Sequence, residues 1–262
     1  MRELLYIAII SALEAGKSAL KIYNSDDFNI KSKIDDSPIT HADICSHKII
    51  KTHLSNTLIP ILSEEGKNIP YSERKKWEVF WLVDPLDGTK EFINRNGEFT
   101  VNIALIENGT PVIGVIYIPV TGVLYFSSKD IGAFKNSNDS MPTNLSQLIL
   151  KSDKLPLVKN KKIFTIVASR SHMSAETEHY IEKTEKKHGS INLITSGSSI
   201  KFCLIAEGIA DSYPRFAPTM EWDTAAGQAI CEHAGFEVID IRNQMKMKYN
   251  KRSLVNNWFL VN

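Results

Sequence analysis

The sequence has few cysteines, no excess of charge of either sign and no long apolar run, and each absence excludes a class of protein. Its three cysteines, Cys45, Cys203 and Cys231, are an odd number without paired spacing. This excludes a disulfide scaffold and predicts reduced thiols in a reducing compartment. Lys and Arg number 31 against 30 Asp and Glu, so no overall basic field attracts a nucleic acid polymer or an anionic lipid.

No stretch of the chain approaches the roughly 20 consecutive apolar residues of a membrane-spanning helix. The apolar residues at the start are interrupted by Glu3, Glu14 and Lys17. They therefore predict an amphipathic helix rather than a signal peptide, and we expect a cytoplasmic protein without an integral membrane segment. The 262 residues, 43% hydrophobic and 23% charged, fit one large α/β domain or two domains that share a core.

Apolar runs and turn signals predict an α/β protein with an α+β half and an α/β half. A helix is expected near Thr40, and Asn108-Gly109 predicts a hairpin. Before a change of composition near Asn136, strands are predicted at 60–62, 79–83, 99–106, 112–118 and 123–127. After it, strands at 163–168, 191–194 and 236–241 alternate with helices at 174–187, 199–207 and 223–234. We therefore expect sub-domains at 1–136 and 137–262, joined by a polar crossover at 136–162.

The most informative peptide is residues 84–89, DPLDGT, directly after the apolar strand predicted at 79–83. A proline-bent turn brings Asp84, the Leu86 carbonyl and Asp87 together, and hard oxygen ligands of this kind suit Mg²⁺. Gly88 and Thr89 then open a short helix whose free N–H groups could bind a phosphate oxygen. The alternative is an ordinary Asx-Pro turn.

Three further acids have both a structural and a chemical interpretation. Glu64 follows the short strand at 60–62, where a solvated loop is the alternative. Asp223 lies at the expected start of a helix and could be its N-cap. Asp43 lies three residues after Thr40 in the pattern of a capping box. Capping and metal binding are compatible, because a carboxylate has a second oxygen.

In this order, Glu64-Glu65, DPLDGT at 84–89 and WDTAAG at 222–227 match a known superfamily pattern. The chain resembles the Mg²⁺-dependent, lithium-sensitive phosphomonoesterases that include inositol monophosphatases and fructose bisphosphatases. GSSIKFC at 197–203 and YPRF at 213–216 make it similar to the CysQ-type 3′(2′),5′-bisphosphate nucleotidases. The departures lie in the crossover at 136–162 and near Asn256, where an expected proline is missing.

The resemblance implies a layered αβαβα sandwich with two or three Mg²⁺ ions in residues 1–136 and the last metal ligand in residues 137–262. The implied metal ligands are Glu64, Asp84, the Leu86 carbonyl, Asp87 and Asp223. Asp43 and Thr89 would orient and deprotonate the attacking water, and Gly88 and Thr89 would contact the phosphate that is removed.

The implied substrate is 3′-phosphoadenosine 5′-phosphate, a by-product of sulfate activation, hydrolysed to AMP and phosphate by in-line attack of metal-activated water. Glu64, Leu86, Asp87 and Asp223 would border this substrate from the metal side. Gly197 and Ser198 would bind it through backbone and hydroxyl groups, and Lys201 would face its 5′-phosphate. Arg170, His172 and Arg215 are further candidates for the second phosphate.

Two alternatives stay open at this point. One is an inositol monophosphatase-like enzyme with the same metal core, and the other is a catalytically silent nucleotide- or metal-binding regulator. The sequence leaves open the preference between sulfated and unsulfated nucleotides and the oligomeric state. Some members of the resembled group associate with the cytoplasmic face of the inner membrane, which the resemblance alone extends to this chain.

Overall fold

Helices and strands alternate along most of the chain in a computed structural model that describes residues 1–25, 31–32, 38–138, 140–158, 161–171 and 173–262. The helices are α1 (Arg2–Tyr23), α2 (His41–Ser55), α3 (Tyr71–Arg74), α4 (Thr89–Ile93), α5 (Leu145–Leu150), α6 (Ala175–His188), α7 (Ile200–Ala206) and α8 (Glu221–Ala234). The first nine strands are β1 (Lys31–Ser32), β2 (Pro38–Ile39), β3 (Ile61–Ser63), β4 (Val79–Asp87), β5 (Thr100–Glu107), β6 (Thr110–Ile118), β7 (Val123–Ser128), β8 (Gly132–Asn136) and β9 (Asp153–Lys154). The remaining strands are β10 (Phe164–Ser169), β11 (Ile191–Ser196), β12 (Tyr213–Arg215), β13 (Val238–Asp240), β14 (Met245–Lys246) and β15 (Phe259–Val261).

The first large sheet has seven strands in the order β3-β4-β5-β6-β7-β8-β9. Strands β3 and β4 are parallel, and each later neighbouring pair is antiparallel. Strands β5 and β6 are buried along nearly their whole length, because α1 packs on one face of the sheet and α8 on the other. Burial on both faces explains why these strands read as continuous apolar runs rather than alternating ones.

A second sheet region lies beyond α7 and α8. Strands β10 and β11 form a parallel pair connected by α6, and a single bridge from Ile166 to Ser212 joins them to the antiparallel sheet β12-β15-β13-β14. Helix α6 packs on β10, β11 and β12. The resulting order of helices, sheet, helices, sheet and helix confirms the predicted αβαβα sandwich.

One apolar core joins the sequence halves on either side of residue 136. The cluster between the first sheet and α7 and α8 combines Phe80 and Ile116 with Phe202, Ile230 and Phe259. Helix α8 approaches β6 so closely that a Cβ on Gly114 would lie 2.4 Å from the Ala226 carbonyl oxygen. Helix α8, which carries Asp223, is therefore held directly against the sheet that carries Asp84.

The structure differs from the predicted elements at several places, and the short elements α3, β12, β14 and β15 were not predicted. Strand β4 continues to Asp87 instead of ending at residue 83. Strand β8 was not predicted as an element of its own. The crossover contains helix α5 and the edge strand β9, which extends the first sheet, because its apolar residues Leu145, Leu148 and Leu155 are buried. None of the helices in the described part of the chain has the length and hydropathy needed to cross a bilayer.

Candidate functional site

A β-bulge at the end of β4 sets the geometry of the two acids in DPLDGT. Asp84 pairs with Asn102 of β5 and Asp87 pairs with Thr100, so two residues on β4 lie opposite one on β5. In a regular strand, residues three apart would point to opposite faces. The bulge therefore turns Asp84 and Asp87 to the same face of the sheet.

Glu64 joins Asp84 through the parallel register of β3 and β4. Ser63 pairs with Val83, and the N–H of Glu64 donates to the Val83 carbonyl at 3.1 Å. The register continued by one residue sets Glu64 beside Asp84. Leu62 and Leu82, two residues earlier on each strand, belong to the core on the α8 side of the sheet. Both acids therefore point toward α8.

Asp223 approaches the same point from α8. The helix begins at Glu221, so Asp223 is its third residue and not the N-cap, which corrects that alternative. One carboxylate oxygen, Oδ2, accepts the backbone N–H of Met220 at 2.8 Å. The carboxylate thus satisfies the first turn of the helix with one oxygen, and its other oxygen is available for further contacts.

Glu64, Asp84 and Asp223 form a compact acidic cluster, with one carboxylate oxygen of each within 4.8 Å of the others. Burial raises the pKa of Asp84 well above its usual range, and the neighbouring charges of Glu64, Asp87 and Asp223 raise it further. Burial and the charge of Asp87 likewise raise the pKa of Asp223. Buried carboxylates at these separations repel one another unless a cation binds, and hard oxygen donors fit a divalent cation such as Mg²⁺.

Asp87 lies beside this cluster and is bonded to the second half of the chain. Its Oδ2 accepts the Ser198 hydroxyl and the Ser199 backbone N–H, each at 2.7 Å. Burial raises its pKa, which hydrogen bonds from Ser198 and Ser199 and the charge of Lys201 partly oppose. Leu86 lines the same cavity, and its N–H donates to Asp84 Oδ1 at 3.1 Å. The roles of Asp87 and of the Leu86 carbonyl as metal ligands stay predictions.

Asp43 and Thr89, the pair that the resemblance implies for orienting the attacking water, lie within hydrogen-bond distance of each other. Thr40 is the N-cap of α2, and its backbone N–H donates to Asp43 Oδ2 at 2.7 Å, which confirms the capping box. The other carboxylate oxygen, Oδ1, accepts the Thr89 hydroxyl at 3.3 Å. The fixed carboxylate therefore reaches the start of α4, next to DPLDG, where it can hold or accept a proton.

The turn before α7 completes the cavity opposite the acids. Gly88, with φ of 93°, and Gly197 both lie against Glu98. A Cβ on Gly88 would lie 3.1 Å from the Glu98 carbonyl oxygen, and a Cβ on Gly197 would lie 3.1 Å from Glu98 Cβ. Ser198 has φ of 51°, a conformation that a non-glycine residue adopts only when its contacts impose it. The cavity has a volume of about 340 Å³. Its lining includes the acids Glu64, Asp84, Asp87 and Asp223 together with Gly88, Thr89, Ser198, Lys201, Tyr213 and Arg215.

Of the cationic residues predicted to bind the second phosphate, Lys201 and Arg215 line the cavity and Arg170 is paired with Glu98. Lys201 is buried, and its Nζ donates to the carbonyls of Ser196 and Ser198. Burial lowers its pKa to about 8. Arg215 also lines the cavity. Arg170 instead forms a bidentate pair with Glu98 at 2.8 and 2.9 Å, and His172 lies outside the described residues.

Comparison of this sequence and fold with those of known proteins identifies the family. Residues 1–260 match the inositol monophosphatase family. The chain belongs to the inositol monophosphatase family. A family member from Shigella flexneri, the 3′(2′),5′-bisphosphate nucleotidase CysQ, is 42% identical over 253 residues, covering 95% of this chain and 96% of its own.

Solved structures of the inositol monophosphatase family have the same architecture. CysQ from Bacteroides thetaiotaomicron, described as a bacterial member of the family, is 51% identical and superposes with a TM-score of 0.92. The match covers 100% of this chain and 97% of the other. SuhB from Bartonella henselae, at 22% identity, covers 99% of this chain and 93% of its own with a TM-score of 0.75, which is a likeness of fold. Membership implies that this chain uses divalent metal ions.

The sequence analysis assigned no role to three polar residues beside the acids of the site. Thr100 and Asn102, on β5, pair with Asp87 and Asp84 of β4. The N–H of Ser199 donates to Asp87. Two polar residues at alternate positions of an otherwise apolar strand were a readable signal. They share one face of β5, so a polar site on that face could have been inferred.

Proposed function

We propose that this chain is a Mg²⁺-dependent phosphomonoesterase that hydrolyses 3′-phosphoadenosine 5′-phosphate to AMP and phosphate. The observation that carries the proposal is the cluster of Glu64, Asp84 and Asp223, within 4.8 Å of one another, in a cavity that also contains Thr89. The choice of a 3′(2′),5′-bisphosphate nucleotide rests on the 42% identity of the chain to 3′(2′),5′-bisphosphate nucleotidases of the CysQ type.

Glu64, Asp84, the Leu86 carbonyl, Asp87 and Asp223 would hold two or three Mg²⁺ ions. Bound there, the ions would supply charge neutralisation at the phosphate and a lower pKa for the attacking water. The chain's own part is to orient the nucleophile. Asp43 Oδ1 accepts from Thr89 at 3.3 Å, so Thr89 can pass a water proton to Asp43 while its own oxygen positions that water.

The opposite side of the cavity would select the substrate. Gly88 and Thr89 would contact the phosphate that is removed. Gly197 and Ser198 would bind the remainder of the nucleotide, and Lys201 would face the second phosphate. Lys201 suits an anion because it is buried and its charge is unfavourable until a partner binds. Residues 1–136 would thus supply most metal ligands, and residues 137–262 the selecting elements and Asp223.

The decisive assay is phosphate release with Mg²⁺, comparing 3′-phosphoadenosine 5′-phosphate with inositol 1-phosphate at equal concentrations. A preference of about a hundredfold for the nucleotide, or about 2.7 kcal/mol, supports the proposal. The reverse preference favours the inositol monophosphatase alternative. No release from either substrate favours a nucleotide- or metal-binding regulator, although the Asp43–Thr89 pair and the complete acid set argue against that function.

The acid cluster is tested separately by Asp84→Asn. Removing one charge at this buried position should lower turnover at least about a hundredfold, since charge stabilisation by a bound metal is worth several kcal/mol. Asp240→Asn is the matched control, because Asp240 is also buried but is the last residue of β13, in the second sheet region. Near-normal turnover in Asp84→Asn would contradict the site assignment. Lithium inhibition and a cytoplasmic role in sulfur metabolism, which the resemblance implies, complete the proposal.

A further inference from the structure

A buried network of hydroxyl and amide groups surrounds Asp87 on the side of α7. Its members Thr100, Asn102 and Ser199 are 0%, 1% and 2% exposed. The Thr100 hydroxyl lies 2.6 Å from Ser198 Oγ and 2.8 Å from Ser199 Oγ. The Ser199 hydroxyl donates to Asn102 Oδ1 at 2.8 Å. The network links the start of β5 to the start of α7, and so connects the two halves of the chain.

The hydrogen bonds of this network converge on one oxygen of Asp87. Its Oδ2 accepts from Ser198 Oγ at 2.7 Å, from the Ser199 N–H at 2.7 Å and from Asn102 Nδ2 at 3.3 Å. In the part of the chain that the structure describes, no hydrogen bond reaches Oδ1 of this carboxylate. One oxygen is therefore fixed by the protein, and the other remains available to a cation.

The Thr100 hydroxyl lies at the centre of this network. Ser198 donates its one hydroxyl proton to Asp87, and Thr100 lies 2.6 Å from Ser198 Oγ and donates to Asn102 Oδ1 at 3.0 Å. Asn102 Oδ1 accepts the Ser199 hydroxyl, which turns its Nδ2 toward Asp87. Ser198 Oγ, the Ser199 N–H and Asn102 Nδ2 thus direct three protons at Asp87 Oδ2, and bonds to a charged acceptor of this kind fix the orientation of the carboxylate.

We propose that Thr100, Asn102 and Ser199 are positioning residues that hold Asp87 in the orientation needed to bind a divalent cation. This rests on the proposed function, because it takes Asp87 as a metal ligand. A purely structural role would not require three buried polar side chains in an apolar strand and helix start, where burial of such groups costs free energy unless they are paired. Partners of this kind commonly change metal affinity about ten- to a hundredfold.

Thr100→Val tests the proposal, because valine has nearly the shape of threonine, suits a strand and lacks the hydroxyl. The readout is the affinity for Mn²⁺ alone, measured from the electron paramagnetic resonance signal of the free ion, together with the unfolding midpoint in EDTA. We expect about tenfold weaker Mn²⁺ binding and a metal-free midpoint close to that of the wild type. Thr100→Ser, which restores the hydroxyl, should recover the affinity.

Two controls separate this proposal from the proposed function. Thr184→Val removes another buried threonine hydroxyl, in α6, and should leave Mn²⁺ binding unchanged. Asp87→Asn tests whether Asp87 binds metal at all. Wild-type Mn²⁺ affinity in Asp87→Asn would overturn its role in the proposed function.

Weak binding in Asp87→Asn combined with wild-type affinity in Thr100→Val would overturn only the positioning role. Should Thr100→Val fail to fold, Ser199→Ala supplies the same test. It keeps the backbone N–H that donates to Asp87 and removes the Ser199 hydroxyl that donates to Asn102. Wild-type affinity in that variant would equally overturn the proposal.

Discussion

Replacing Lys201 by methionine should make the metal-free protein more stable and at the same time impair it as an enzyme. Lys201 is 4% exposed, and burial lowers its pKa from 10.5 to about 8. Each pKa unit corresponds to about 1.4 kcal/mol. Near pH 7, keeping this lysine charged in the folded protein therefore costs about 3 kcal/mol relative to the unfolded chain.

The sign of the pH dependence follows from the lowered pKa. Below pH 8 the lysine is charged in both states, so the full cost is present. Between pH 8 and 10.5 the folded protein releases the proton before the unfolded chain does, and the cost falls as the pH rises. At pH 9.5 it is about 1.4 kcal/mol. The stability advantage of Lys201→Met should therefore shrink by about 2 kcal/mol between pH 7 and 9.5.

Urea unfolding in EDTA at the two pH values measures this difference, because other titrating groups are common to both proteins and cancel. Lys186→Met, at an exposed position of α6, should show no such pH-dependent difference from the wild type. A Lys201→Met advantage that stays constant across this range would refute the reasoning. In the phosphate-release assay the same variant should raise KM about tenfold or more, since a bond to a charged group is worth about 1.5–3 kcal/mol.

Three other outcomes are expected. Thr89→Val should lower kcat about a hundredfold, since it removes the hydroxyl that reaches Asp43, whereas Thr89→Ser should retain activity; equal rates for both would contradict the proton route. Burial lowers the pKa of His233 to about 4. Acidification from pH 6.5 to 4 should therefore lower the free energy of unfolding of the wild type by up to about 3 kcal/mol more than that of His233→Gln. An equal decrease in both proteins, measured by urea unfolding, would disprove this. Gly114→Ala, whose Cβ would lie 2.4 Å from the Ala226 carbonyl, should destabilise the protein by about 1–3 kcal/mol and weaken Mn²⁺ binding through α8; an unchanged melting temperature would argue against that close packing.

Much of the candidate site was predictable because each acid lies near the end or the start of an element that the sequence defines well. Glu64 follows an apolar strand, Asp84 lies near the end of one, Asp43 lies in a capping box and Asp223 lies in the first turn of a helix. Carboxylate oxygens are hard ligands, so their grouping indicates a divalent cation. The joint role of Asp43 and Thr89 came from the resemblance alone, because their 3.3 Å contact depends on how α2 meets α4.

The positioning residues were harder to predict, because their function depends on register and not on residue type. The alternate positions of Thr100 and Asn102 indicate a polar face of β5, but only their pairing with Asp87 and Asp84 of β4 shows which residues they act on. Ser199 acts on Asp87 mainly through its backbone N–H, which every residue except proline possesses. To predict interactions of this kind, one must know how β5 and α7 lie relative to each other, and local sequence patterns do not give that information.

The bulge in β4 was nevertheless indicated by Pro85. Proline lacks the N–H of a ladder bond, so inside a sheet it is confined to edges, strand starts and bulges. Strand β4 lies between β3 and β5, and Pro85 is buried near its end, between Asp84 and Asp87, where the pairing with β5 shifts. The bulge is therefore a position compatible with proline. Because that bulge turns Asp84 and Asp87 to one face, the proline that ended the predicted strand at residue 83 is the same residue that allows the strand to continue and both acids to enter one site.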